Sequence, residues 1–274
     1  MFSRRKIAAV VAEGLGSAVL SFVVLTVSRS QLGIAYFVGL AAGLALILFG
    51  IALARDVQLN PAYTLALWAT RRITTIKAAA FIVAQMLGGY LAFRLYMFFS
   101  TTGEVQPLPI DYKVEILVAE ALGAFIFTFL AANALRHSSQ VVRNVTTGLA
   151  YALGAMAASV ASVGFINPAA ALASNAFGWQ TYVAGPVLGA ILGVTLYSLL
   201  FADRDRVAAV RDGKGSGLVG RLAARRKLNK DAIDVSPSNV EDKPLAKVDE
   251  AERDVVEAKT EKSGKNKKNK KSKK

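Results

Sequence analysis

Two carboxylates and two asparagines stand where an apolar chain tolerates them least. Glu13 and Glu120 fall inside long apolar runs, and Asn60 and Asn167 open two short ones. A carboxylate inside a bilayer-length apolar segment is expensive and normally has a partner. Two chemistries are open to the pair. They can accept hydrogen bonds from backbone N–H groups that lack a helical partner, a task that Gln85, in a third apolar run, can share. Or they can relay protons, which needs several titratable groups along one route. Glu13 and Glu120 are the only acidic residues well inside an apolar run, which favours the first.

Each asparagine begins the tripeptide Asn-Pro-Ala, as Asn60-Pro61-Ala62 and Asn167-Pro168-Ala169. Proline suits the first turn of a helix, where its missing N–H would have been unpaired anyway, and asparagine is a good N-cap. The two boxes therefore predict short helices of about 11 residues, ~16 Å long, which cannot cross a bilayer. Two proline turns in loops are the bland alternative, but loops should be polar and the residues after both boxes are apolar.

The spacing links these residues. Glu13 and Glu120 are 107 positions apart, and so are Asn60 and Asn167. Glu13-Gly14-Leu15-Gly16 also resembles Glu120-Ala121-Leu122-Gly123. Two unrelated landmarks at one offset indicate a duplication.

Six apolar runs long enough to span must position these groups: 7–28, 35–54, 78–99, 114–135, 145–164 and 182–202. The first follows Arg4, Arg5 and Lys6, as a signal peptide would, but it is long for one and five more runs follow. Each half holds three spans, so the second half enters the membrane from the opposite side and the repeat is inverted. The two half-helices then meet N-terminus to N-terminus near the midplane, where irregular backbone survives only if buried or lining a polar path.

Basic residues set the expected orientation. Arg55, Arg71, Arg72 and Lys77 lie between spans two and three, and Arg136 and Arg143 between four and five. The opposite side has only Arg29 and Lys113, near Glu104 and Asp111. The positive-inside rule puts both termini in the cytoplasm. Arg94, near the outer end of span three, can snorkel to the interface.

Composition agrees with a multi-pass protein of the cell membrane. The 274 residues are 54% hydrophobic with a mean hydropathy of +0.41, too apolar for a dispersed soluble domain. There is no cysteine, and the single histidine, His137, beside Arg136, reads as a surface imidazole. No metal cluster, nucleophile triad or phosphate loop points to an enzyme, and no cofactor is expected. The expected organisation is a first repeat over 1–110, a second, inverted repeat over 111–202 and a basic cytoplasmic tail over 203–274. The tail reads as disordered. Its charge suits anionic lipid; lacking interleaved aromatics, it does not suit specific nucleic-acid binding.

Paired Asn-Pro-Ala boxes on an inverted six-span repeat resemble the aquaporin, or major intrinsic protein, family. The likeness extends to Asn60-Pro61-Ala62-Tyr63-Thr64-Leu65-Ala66-Leu67, to the paired glutamates, and to Ala84-Gln85-Met86-Leu87-Gly88. Gly148-Leu149-Ala150 and Gly185-Pro186-Val187-Leu188-Gly189 are similar to the family's fifth and sixth spans. It covers roughly residues 7–202. The resemblance implies an all-α fold of six transmembrane helices plus two re-entrant half-helices. It also implies one pore per subunit, box asparagines facing that pore, and a homotetramer.

The sequence departs from the family at the outer filter. By counting from the second box, three filter positions fall on Ala155, Gly164 and Ala170; the span-two position falls on Leu40 or Ala42. The usual arginine after the box, the span-five histidine and the span-two aromatic are all missing, and Gln58 replaces another histidine before the first box. Such a filter is expected to be wide and apolar, unless Phe37, Phe165 or Tyr63 fills the space. A passive channel for water or small uncharged solutes such as glycerol is the leading expectation. The alternative is a family fold with a structural or adhesive role and little conductance. A coupled transporter would need midplane charges that are absent.

Overall fold

The computed structural model describes residues 4–30, 35–53, 55–100, 113–176 and 178–201. The basic tail, Glu104 and Asp111 lie outside the described residues. Six long helices and two short ones make up the described chain: α1 (Arg4–Ser28), α2 (Ala35–Ala52), α3 (Pro61–Ala69), α4 (Thr75–Phe99), α5 (Val114–Ala134), α6 (Gln140–Ala158), α7 (Pro168–Ala173) and α8 (Gly185–Phe201). A π-turn over Gln180–Ala184 leads into α8.

Four stretches, α1, α4, α5 and the π-turn with α8, are by themselves long and apolar enough to cross a membrane. Helix α2 is equally apolar but short, at 18 residues. Helix α6 departs most from the expected 145–164. It starts at Gln140, capped by the Ser139 hydroxyl on the Val142 N–H, and ends at Ala158. Beyond it the chain turns over residues 159–162, the Ser162 N–H reaching the Ala158 carbonyl at 3.0 Å, and irregular chain leads on to the second box, with Gly164 at φ +76°.

These helices are patterned for lipid. Large aliphatic residues such as Val11, Leu15, Leu44, Leu48, Leu188 and Leu192 lie exposed, while Glu13, Ser17, Ser21, Gln85, Glu120 and Thr128 are buried. Small residues sit where helices cross, as expected where burial of apolar area against apolar solvent adds little and close backbone approach must hold the bundle. A Cβ added at Gly189 of α8 would collide with the Ala121 carbonyl of α5, and one at Gly88 of α4 with the Gly14 carbonyl of α1. Hydroxyls add bonds at the same seams: Ser17 donates to the Gln85 carbonyl at 3.1 Å and Thr128 to the Ala190 carbonyl at 3.0 Å.

The packing repeats between halves. Helix α1 packs on α4 as α5 packs on α8, and α3 lies against α8 as α7 lies against α4. Each short helix thus docks mainly on the opposite half.

Candidate functional site

The loops entering the two boxes are held by the buried glutamates. Glu13 accepts from the backbone N–H groups of Gln58 at 2.9 Å and Leu59 at 2.8 Å. Glu120 accepts from those of Phe165 at 3.0 Å and Ile166 at 2.6 Å. Gln58 and Leu59 stand 107 positions before Phe165 and Ile166, so the offset read in the sequence recurs bond for bond. A charged acceptor on such N–H groups contributes more than a neutral one.

The remaining valences differ between halves. Gln85 donates to Glu13 at 2.7 Å and also meets Thr64, which donates to Gln58 at 2.7 Å. In the second half, Ser162 donates to Glu120, and no glutamine is involved.

Both asparagines are N-caps and both cross to the other half. The Asn60 carbonyl oxygen accepts from Ala62 N–H at 2.8 Å and Tyr63 N–H at 3.3 Å; that of Asn167 accepts from Ala169 N–H at 3.0 Å. The Asn60 amide donates to the Ile166 carbonyl at 2.9 Å, and the Asn167 amide donates to the Leu59 carbonyl at 2.9 Å. Leu59 and Ile166 hold left-handed backbone, φ 50° and 43°, which is costly for a β-branched residue. Placed between a glutamate-bound N–H and an asparagine-bound carbonyl, that strained turn is held from both sides.

The short helices are shorter than expected, nine residues in α3 and six in α7. Each ends in a left-handed residue, Arg71 or Asn175. The Arg72 N–H then reaches back to the Leu67 carbonyl at 2.7 Å and the Ala176 N–H to that of Ala171 at 3.0 Å, the Schellman pattern that stops a helix. The Arg29 guanidinium donates to the Ser174 carbonyl at 3.1 Å, placing a cation at the negative end of α7.

Where the boxes meet, the space is filled. Asn60 and Asn167 are both 0% exposed, so no water-sized sphere touches either side chain. Tyr63, three residues after Asn60, begins a row of tilted rings, with centroids 5.1 Å apart between Tyr63 and Phe127 and again between Phe127 and Tyr151. The Tyr151 hydroxyl donates to the Phe165 carbonyl at 2.8 Å. Phe165, between the box and Tyr151, turns its ring to Tyr182 at 5.5 Å.

Among the expected filter positions, Ala155 and Gly164 meet, since a Cβ on Gly164 would collide with the Ala155 carbonyl, and Ala155 and Ala170 are both buried. Ala42 is buried too. Leu40 is not; it is 45% exposed on the outward stripe with Leu44 and Leu48. Its assignment to the filter is corrected, because residues four apart on a helix share a face and this face points away from the boxes. Phe37, 44% exposed, cannot fill the filter either. Sequence reasoning did not single out Phe127 and Tyr151. A signal existed for the first: Phe127 lies seven residues after Glu120, and the equally buried Leu20 lies seven after Glu13, two turns along the face that points inward.

Comparison with known proteins agrees with this geometry. The family profile described as Major intrinsic protein matches residues 2–197. Aquaporin NIP1-1 of Zea mays is 30% identical over 209 residues, covering 70% of this chain and 74% of that protein. Aquaporin Z of Photorhabdus laumondii is 28% identical, covering 73% of this chain and 99% of its own. In fold, the aquaglyceroporin from Plasmodium falciparum superposes with a TM-score of 0.56 at 17% identity, covering 72% of this chain and 98% of that one. With its paired boxes, its cross-bonded asparagines and this match over most of its length, the chain belongs to the major intrinsic protein family of membrane channels for water or small solutes.

Proposed function

We propose that this chain forms a passive pathway for water and small uncharged solutes such as glycerol, closed in the described conformation by Tyr63, Phe127 and Tyr151. The reciprocal bonding of Asn60 and Asn167 carries the reading, since it fixes two helix N-termini face to face. Their partial positive charge opposes cations, and their amides offer donors to a passing oxygen. Helix α7 is only six residues long, so more of this field comes from α3. On the outer side, Ala42, Ala155, Gly164 and Ala170 supply no bulky side chain and no fixed charge, which admits a solute larger than water once the aromatic stack parts. The termini face the cytoplasm, four copies assemble, and the tail adds attraction to anionic lipid.

Stopped-flow swelling of liposomes holding the full chain, with water and glycerol measured separately, tests this. A second reading, a structural member with little conductance, draws on one observation, the inaccessibility of both box asparagines. Flux no faster than through empty liposomes selects it.

A further inference from the structure

A groove of about 700 Å³ opens between the N-terminal ends of α1 and α4, a volume within the usual range of ligand sites. None of its lining residues belongs to the boxes. Its rim is cationic, with Arg5, Lys6, Arg55 and Lys77. Its floor is apolar, including Val10, Val11, Ala80 and Phe81. No acidic side chain is among its lining residues. The acidic groups nearby are engaged elsewhere: Asp56 pairs with Arg143 at 2.9 Å, and Glu13 is 1% exposed and faces the first box.

The order of these residues along the helices matters. Lys6 precedes Val10 by one turn of α1, and Lys77 precedes Phe81 by one turn of α4. The Lys77 ammonium lies 5.0 Å from the centre of the Phe81 ring. Charge at the helix ends and an apolar trough one turn deeper, ~6 Å along the axis, match the layering of a phospholipid. Basic pockets between spans at the membrane surface suit anionic headgroups. A free phosphate would gain nothing from the apolar floor.

We infer that this groove binds one anionic phospholipid, its headgroup on Arg5, Lys6, Arg55 and Lys77 and an acyl chain along the α1–α4 trough. Retention of phosphatidylglycerol or phosphatidylcholine by the purified full chain in neutral detergent, read by native mass spectrometry, tests it. One phosphatidylglycerol per chain should be held in preference to phosphatidylcholine. Arg55→Gln/Lys77→Gln should weaken that binding about tenfold or more. Ala80→Trp, which fills the trough and leaves the charge intact, should weaken it as well. Arg221→Gln/Arg225→Gln/Arg226→Gln, in the tail, should lower only the weaker, additional lipid attracted by the tail and keep the one tightly held phosphatidylglycerol. Equal retention of the two lipids, displacement by inorganic phosphate, or loss only in the tail variant would each overturn the assignment.

Discussion

The Tyr151 hydroxyl and the Phe165 carbonyl are joined by a 2.8 Å hydrogen bond that ties helix α6 to the loop entering the second box. The bond fixes the Tyr151 ring against Phe127, and Phe127 in turn against Tyr63. Tyr151→Val removes both the bond and the ring. Water flux in liposomes should rise, on the order of tenfold if the stack is the main barrier, since hydrophobic constrictions gate by excluding water. The stability cost should stay below the ~3–5 kcal/mol of cutting a buried aromatic to alanine. An unchanged rate in a well-folded variant places the barrier elsewhere.

Glu120 accepts two backbone N–H groups and a hydroxyl, and Glu13 two N–H groups and an amide. A glutamine would turn an NH2 group toward donors. Glu13→Gln and Glu120→Gln should each lower unfolding stability by about 1–3 kcal/mol, measured by thermal denaturation in detergent. Normal stability together with a strongly pH-shifted flux would instead indicate a proton relay.

The Asn60 side chain performs two tasks that can be separated. Asn60→Ala loses the cap on α3 and the bond to Ile166, at about 2–3 kcal/mol together. Asn60→Asp keeps a capping oxygen but sets a carboxylate oxygen against the Ile166 carbonyl. If the cross-half bond matters, the aspartate variant should be no more stable than the alanine one; denaturation of both decides.

Ala170 follows the second box and is wholly buried. On the Tyr151→Val background, where solutes can pass the stack, Ala170→Arg should reduce glycerol flux several-fold and spare water, because it adds bulk and a fixed charge to the outer constriction. Parallel swelling assays with the two solutes read this out. Loss of both fluxes would show that the side chain blocks the path outright.

Much of this architecture was legible in the residue order. The glutamates, the boxes and their common offset have strong local reasons: a buried carboxylate needs donors, and Asn-Pro starts a helix. The lengths of the half-helices were not legible, because Arg71 and Asn175 end them by taking left-handed backbone that no glycine announces. The late part of span five was misread for a related reason. Residues 159–164 are apolar enough to continue a helix, yet the chain turns over 159–162 so that Ser162, Phe165 and Ile166 can reach Glu120. Counting from the box could not choose between Leu40 and Ala42, since the loop before the first box differs in length from the family pattern. The packing of α2 on α6 buries Ala42 and leaves Leu40 exposed. Tyr63 was legible as a residue that could fill the space, but Phe127 and Tyr151 were not, because the three come from separate elements and meet only in the packed bundle.

The crossed asparagine bonds set a timetable for synthesis. Asn60 and its partner Ile166 are separated by 106 positions. At ~5–20 residues per second, the first half-helix waits about 5–20 s for that carbonyl to be made. Glu13, 47 positions ahead of Asn60, is already in place when the first box emerges, whereas the Asn60 amide is not yet answered from the second half. A ribosome that pauses between α4 and α7 would therefore prolong the interval in which the first box is held by its glutamate alone, and slow codons in that stretch should lower the yield of folded protein more than slow codons after α8.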